Sequence, residues 1–152
     1  MNNRVAVFAA TLTSAITAHH VADYLSQTDH QACRKAAPGY NAVDDTPYAQ
    51  TWIANQKHCL TYHATMAAAV GATFRILGIR IPPGRAAAAL ALSWGTHAVI
   101  DRRWPVKKIM EWTGSGAWYE ADKEAAPKVD QTLHLAVLHL AALLVAASVP
   151  AE

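Results

Sequence analysis

Four long stretches without a formally charged residue divide this chain of 152 residues, and they limit what it can fold into. They cover residues 5–22, 58–74, 86–100 and 131–151. These stretches are rich in alanine and leucine and contain few runs of β-branched residues, a composition that favours helices over strands. The sequence therefore predicts an all-α protein.

Proline and glycine mark where the predicted helices begin and end. Thr46-Pro47 is typical of an N-cap followed by proline at the first helical position. Gly78 and then Pro82-Pro83-Gly84 end that helix before the next one starts. Four long helices in a chain of this length predict a single up-down-up-down bundle, with a short extra helix between the third and fourth. The predicted elements are helices at about 5–27, 47–77, 85–101 and 129–149, a loop at 28–46, a short helix at about 105–112, and an irregular segment or short turn of helix at 118–127.

Charge and cysteine content exclude several classes of protein. The net charge is +2, and the basic residues are spread along the chain, so no clustered nucleic-acid footprint is indicated. Arg102-Arg103 and Lys107-Lys108 form the one local basic patch, which is interpreted as a solvated helix end. Cys33 and Cys59 form no CxxC pair, which excludes a zinc ribbon and a disulfide framework but leaves a single bridge open.

Histidine and aspartate recur four residues apart near the polar ends of three predicted helices. This spacing places both side chains of a pair on one helix face. The order is His then Asp on the first and third helices and is reversed on the fourth, as helices that run in opposite directions through one end of a bundle require. The three pairs are His19 and Asp23, His97 and Asp101, and Asp130 and His134.

Imidazole nitrogens and carboxylate oxygens on facing helices suit a divalent metal such as Zn²⁺, Mn²⁺ or Fe²⁺. A lone histidine on an apolar helix is otherwise a core or interface residue, a reading that stays open for His20 and His63. Aspartate at a helix C-terminus opposes the macrodipole, which weakens the reading of Asp23 and Asp101 as caps. The expected ligands of one or two ions are His19, His20, Asp23, His97, Asp101, Asp130 and His134.

Further polar side chains on the second and fourth helices suit proton transfer. Asp130 is expected to act as a ligand or general base, and His58, His63 and Lys57 as substrate-side or proton-transfer groups. The sequence therefore predicts a metal-dependent hydrolase of a phosphoester or another small anionic substrate. The alternative is a non-catalytic membrane or partner-binding protein in which a structural metal or a polar network locks the bundle. No oligomeric state is indicated.

The uncharged stretches approach the roughly 20 apolar residues that a membrane-spanning helix needs. Mean hydropathy is only +0.07, so the same stretches also describe a soluble cytoplasmic bundle. If the helices span a membrane, most of the basic residues lie at the site end, which predicts that this end is cytoplasmic. The apolar N-terminal run leads into the polar cluster instead of a small-residue cleavage site, so it is expected to stay in the mature protein.

Four motifs together resemble a known family. They are the HxxxDxxxQ pattern from His19, the pairs Lys57-His58 and Tyr62-His63, the THxxxD pattern ending at Asp101, and the run Asp130-Gln131-Thr132-Leu133-His134-Leu135. The chain resembles, from about His19 to Leu144, small bacterial and phage proteins catalogued as domain of unknown function number 3307. More distantly, it is similar to inner-membrane metal-dependent hydrolases. The resemblance implies membrane-type helices, metal binding and hydrolysis.

Overall fold

The structure is a computed structural model that describes residues 4–42 and 45–149. These residues contain seven α-helices and one π-helical turn and no strand, which confirms the all-α prediction. Val43 and Asp44, in the predicted 28–46 loop, lie outside the described residues. The elements are α1 (Arg4–His20), the π-helical turn (Val21–Ser26), α2 (Asp29–Arg34), α3 (Tyr48–Leu77), α4 (Pro83–Ile100), α5 (Trp104–Trp112), α6 (Gly116–Ala121) and α7 (Ala125–Ala146).

Two helices end in the same glycine-dependent way. Gly78 follows α3 at φ +66°, and the next amide, Ile79 N–H, donates to the Phe74 carbonyl over 2.8 Å. Gly114 follows α5 at φ +83°, and Ser115 N–H donates to the Met110 carbonyl over 2.8 Å. A left-handed residue followed by this six-to-one hydrogen bond is the Schellman termination, in which glycine carries no Cβ penalty.

The segment predicted as a loop at 28–46 contains a helix, α2. The prediction missed this helix because turn-forming residues lie nearby, around Pro38. Thr28 caps it: its side chain accepts from Gln31 N–H, and the Gln31 side chain accepts from Thr28 N–H. This reciprocal capping box satisfies two amides that an uncapped short helix leaves unpaired. At 118–127 the structure contains the end of α6, which agrees with the short turn of helix that the sequence allowed. It also contains the start of α7, which begins at Ala125 and not near residue 129.

The chain forms two compact units, and α3, α4 and α7 contribute residues to both. Unit 1 comprises Met1–Gln27, Leu60–Gly95 and Leu135–Glu152, of which Met1 to Asn3 and Pro150 to Glu152 lie outside the described residues. Unit 2 comprises Thr28–Cys59 and Thr96–His134.

Unit 1 has an apolar core of mostly small side chains. Val7 of α1 packs with Ala89 of α4 and Val145 of α7 in one cluster, and Ala18 packs with Met66 of α3 in another. The Arg4 side chain donates to the Val149 carbonyl over 2.7 Å, and Ala18 shares a cluster with Leu138, so α1 and α7 are antiparallel. The unit also contains an apolar cavity of about 210 Å³, to whose walls α1, α3, α4 and α7 all contribute.

Unit 2 has a smaller apolar cluster beside its polar groups. Val106 of α5, Tyr119 of α6 and Ala125 of α7 are buried together, with Ile100 and Leu133 packed against them. This cluster joins the short helices α5 and α6 to the end of α4 and the start of α7, the segments that carry the predicted site residues Asp101 and Asp130.

Within residues 4–42 and 45–149, two helical segments are long and apolar enough to cross a membrane, Arg4–Ser26 and Ala125–Ala146. Length and composition are the only grounds, since the core helix of a soluble protein or an N-terminal signal sequence has the same properties. The uncharged stretches at 58–74 and 86–100 lie in α3 and α4, which do not meet these criteria.

Candidate metal centre

Asp101 is the centre of a polar cluster buried in unit 2. Its carboxylate follows the last turn of α4 and is fully buried. One oxygen, Oδ2, lies 3.2 Å from His97 Nε2 and 3.5 Å from His58 Nε2. The other, Oδ1, lies 3.0 Å from Lys35 Nζ. The carboxylate therefore has two imidazoles on one side and an ammonium group on the other.

His134 on α7 completes the cluster with a fixed tautomer. Its Nδ1–H donates to the Asp130 carbonyl over 2.8 Å, so in the neutral ring Nε2 carries the lone pair. That Nε2 atom lies 4.0 Å from Asp101 Oδ1, and the ring packs edge-on against His97 with centroids 4.3 Å apart. A backbone hydrogen bond of this kind commonly orients a metal-ligating histidine.

Three of these residues fit the donor set of one divalent ion. His97, Asp101 and His134 each offer one ligand atom, and these atoms lie within 4.8 Å of one another. All three residues are buried. Two imidazole nitrogens and one carboxylate oxygen are the donors that Zn²⁺, Mn²⁺ and Fe²⁺ accept in proteins. The structure thus brings together, within unit 2, three of the seven residues that the sequence predicted as metal ligands.

Burial and charge set the protonation of the cluster. Burial lowers the pKa of His97 to about 4, although the Asp101 carboxylate opposes this change. Burial also disfavours the charged form of Asp101, but the Lys35 ammonium and His97 hold the pKa of that carboxyl well below its ordinary value. At neutral pH the cluster therefore presents a neutral imidazole and an ionised carboxylate, the forms that bind metal.

Lys35 is a member of the cluster that the sequence did not single out, because it lies in the predicted loop and belongs to no spacing pattern. The capping box that starts α2 was the available signal, since it predicts a helix with Lys35 at its end. Lys35 Nζ also lies 3.2 Å from His58 Nε2. Its carbonyl accepts hydrogen bonds from Arg102 Nη1 at 3.0 Å and Asn55 Nδ2 at 3.4 Å.

The interpretation of Arg102 as part of a solvated basic patch is wrong. Arg102 is only 2% exposed, and its guanidinium lies over the Trp52 ring at 4.4 Å. It donates to the Thr51 hydroxyl over 2.9 Å as well as to the Lys35 carbonyl. A planar guanidinium satisfies several acceptors and an aromatic face at once, so it can be buried where an ammonium could not.

The first predicted pair lies in unit 1, where it has its own contacts. His19 is fully buried, and its Nδ1 lies 2.9 Å from the Tyr62 hydroxyl and 3.6 Å from Asp23 Oδ2. Asp23 lies in the π-helical turn, and Gln27 after it is extended at ψ 128°. A metal-ligating role for His19 and Asp23 stays a prediction.

Two further histidines of the prediction also belong to unit 1. His20 is exposed, and its ring stacks on Tyr24 with centroids 5.8 Å apart. His63 is buried, with Nε2 3.0 Å from the Ser93 hydroxyl and its ring stacked on Trp94. His63 therefore has the contacts of a packed core residue, a reading that the sequence left open, whereas His20 is a surface residue. A ligand role for His20 and a proton-transfer role for His63 stay predictions.

The remaining predicted residues lie in unit 2 in different environments. Asp130 is partly buried, with Oδ2 3.9 Å from His134 Nδ1. Lys57 is exposed on α3, whereas its neighbour His58 is fully buried. Cys33 and Cys59 are free thiols, so the bridge that the sequence left open is absent.

No protein-family model, curated protein or solved structure matches the chain.

Proposed function

We propose that this protein is a metal-dependent hydrolase whose divalent ion is bound by His97, Asp101 and His134. The observation that carries the proposal is the convergence of their three ligand atoms within 4.8 Å in a buried site. Burying these groups is costly unless they are paired or bind a cation.

The residues around the proposed ligands have separable tasks. The Asp130 carbonyl fixes the His134 tautomer, and His97 is held neutral by burial. We assign proton transfer to His58, whose Nε2 is 3.5 Å from Asp101 Oδ2, and to the partly buried carboxylate of Asp130. A divalent ion held there supplies Lewis acidity toward a substrate oxygen and makes nearby water more acidic.

The proposed substrate is a small phosphoester or a similar anionic molecule. Lys35 is the support for this choice, because Arg102 and Asn55 hold its backbone beside the proposed ligands. Its positive charge therefore stays near the site whether or not the ammonium contacts Asp101. The chain also resembles the helical family numbered 3307 and, more distantly, inner-membrane metal-dependent hydrolases. This resemblance leads us to propose the same class of enzyme. The contributions of Lys57 and His63 to substrate binding stay predictions.

We also propose that the protein is associated with a membrane through its two long apolar segments, Arg4–Ser26 and Ala125–Ala146. Leu140 and Leu143 of α7 and Val5 of α1 are exposed, as lipid-facing side chains are. We further propose that the end of the bundle that holds most of the basic residues lies on the cytoplasmic side. Fractionation of cells expressing the chain tests this location, and recovery in the soluble fraction without detergent contradicts it.

Elemental analysis of the purified protein tests metal binding. We expect one equivalent of Zn, Mn or Fe in the wild type after reconstitution, and loss of that metal in His97→Gln and His134→Gln. His30→Gln is the matched control, because His30 is exposed on α2 and is not one of the proposed ligands. Far-UV circular dichroism verifies that each variant is folded. A folded wild type that takes up no metal would contradict the proposal.

Hydrolysis is tested with the metal-loaded protein and p-nitrophenyl phosphate as the probe. Activity is expected to need the metal and to fall in His58→Gln, although His58→Gln retains the metal. If His134→Gln hydrolyses the probe as fast as the wild type, the activity comes from a contaminating enzyme, and the assignment is contradicted.

Burial favours a second candidate function, a structural metal site. The proposed ligands are 1–3% exposed, and structural sites are closed whereas catalytic sites keep an open position. In that case, removing the metal with a chelator lowers the melting temperature strongly, and no hydrolysis accompanies full metal occupancy. A catalytic site gives metal-dependent turnover.

A further inference from the structure

The ammonium group of Lys35 occupies a position suited to a metal ion. Lys35 Nζ lies 3.0 Å from Asp101 Oδ1 and 3.2 Å from His58 Nε2. Because an ammonium group only donates hydrogen bonds, the His58 Nε2 atom accepts from it. Lys35 is thus bound by a carboxylate oxygen and an imidazole nitrogen, the same kinds of atom that a divalent cation needs.

The Lys35 ammonium and a divalent ion cannot both occupy this position, because both are positively charged. The Asp101 side chain is fully buried, and a buried carboxylate needs a compensating positive charge. Lys35 supplies that charge. A divalent ion on the same carboxylate would lie within a few ångströms of the ammonium, where two positive charges repel strongly because little water screens them.

The backbone of Lys35 is fixed, but its side chain has a route away from the site. Arg102 and Asn55 both donate to the Lys35 carbonyl, which holds the residue at the end of α2. The side chain is 12% exposed, and its four-carbon stem has rotatable bonds throughout. The ammonium can therefore move toward solvent while the backbone stays in place.

We propose that Lys35 is a resident cation that compensates Asp101 in the metal-free protein and is displaced when a divalent ion binds. This inference rests on the proposed metal site and adds a regulatory element to it. Lys35 stabilises the empty centre and, by the same contacts, competes with the ion. Loss of its charge therefore strengthens metal binding, the opposite of what loss of a ligand does.

The first test compares the dissociation constants of Mn²⁺ and Zn²⁺ for wild type, Lys35→Met and Lys35→Arg. Lys35→Met should bind the ions about tenfold more tightly, since an ion pair with a buried charge no longer has to be broken. Lys35→Arg keeps the charge and should bind no more tightly than the wild type. Lys107→Met is the matched control, because Lys107 pairs with Glu120 outside the cluster. An unchanged or weaker affinity in Lys35→Met would overturn the inference.

The second test uses only the wild-type protein, so it holds even if Lys35→Met folds poorly without metal. Brief acetylation with acetic anhydride, read by peptide mass spectrometry, reports how accessible each lysine amine is. Adding Mn²⁺ should raise acetylation of Lys35 several-fold relative to Lys107. Equal acetylation of Lys35 with and without bound Mn²⁺ would show that the ammonium is not displaced.

The two tests separate failure of this inference from failure of the proposed function. Metal that binds the wild type and is lost in His134→Gln, with an unchanged affinity in Lys35→Met, overturns only the role of Lys35. Absence of binding in wild type and in folded Lys35→Met overturns the metal site and the inference with it. If Lys35→Met binds metal and the wild type does not, the result supports competition between Lys35 and the ion.

Discussion

The two units bury different kinds of side chain. In unit 1 the core is mostly alanine, valine, leucine and methionine from long helices, with an apolar cavity of about 210 Å³. Its buried histidines, His19 and His63, contact the hydroxyl groups of Tyr62 and Ser93. In unit 2 a compact apolar cluster around Val106 lies beside Asp101, three histidines, a lysine and a buried arginine. Unit 1 is therefore stabilised mainly by removing apolar area from water, whereas unit 2 also depends on matching buried charges.

This difference indicates where function is located. An apolar core tolerates substitution as long as volume is kept, because the hydrophobic effect has no direction. A buried polar cluster has no such tolerance, since each group needs its own partner. Conserving volume at Asp101 does not conserve its role, whereas at Val7 volume is most of what matters. The following predictions test this contrast.

Asp101→Asn should have the largest effect on stability. It removes the buried charge that pairs with both Lys35 and His97, and the loss of a buried ionic partner costs about 3–5 kcal/mol. Urea unfolding in the presence of a chelator measures this loss. Asp29→Asn, at an exposed position in the first turn of α2, is the control and should change stability by less than about 1 kcal/mol. A similar loss of stability in both variants would contradict a stabilising role of the buried Asp101 charge.

Acid should destabilise the metal-free protein through His97. The unfolded chain takes up the proton near pH 6.5 and the folded protein only near pH 4, so stability falls as the pH drops between these values. The contribution of His97 to this loss is on the order of 3 kcal/mol. His97→Gln should therefore show a shallower fall in unfolding free energy over the same interval, and exposed His30→Gln should not. Parallel curves for wild type and His97→Gln would contradict the assignment.

Val7→Ala should lower stability by about 2 kcal/mol, because Val7 is fully buried in the unit 1 core. Val5→Ala in the same helix is the control, since Val5 is 76% exposed and its truncation exposes no new apolar core. Neither substitution should change the metal affinity measured on folded protein. A loss of metal in Val7→Ala would show that the units are not energetically separable.

Gly78→Ala and Gly114→Ala should have the smallest effects and should be alike. Both glycines have positive φ, at +66° and +83°, and no atom lies within 4 Å of the position that a Cβ would occupy. Each substitution therefore costs only the backbone strain, about 1 kcal/mol. Thermal unfolding of the two variants checks this equality. A clear difference between them would mean that a helix end in one unit is supported by contacts beyond its own backbone.

The helical class was predictable because it depends on local properties. Uncharged alanine-rich stretches favour helices wherever they are packed, and Gly78 and Pro83 end and start helices through their own backbone geometry. The short helix α2 was missed because a capping box of two residues, Thr28 and Gln31, outweighs the nearby turn formers. Local signals of similar strength compete there, and their balance depends on packing.

The candidate site was predictable only in part. The four-residue spacing placed His97 with Asp101 and Asp130 with His134, because such pairs share a helix face in any context. Lys35 could not be found in this way, since its contact with Asp101 joins residues far apart in the chain. The burial of Arg102 was likewise hidden, because a sequence does not show that Trp52 and Thr51 surround its guanidinium.

The sequence by itself determined the helices, their main ends and the paired donors, since each of these follows from neighbours within one or two turns. Only the tertiary structure decided that His97, Asp101 and His134 form a buried group and that Lys35 compensates its charge. The physical reason is that burial and charge pairing depend on segments distant in the chain. Local periodicity indicates which face a side chain occupies, but not which groups it meets there.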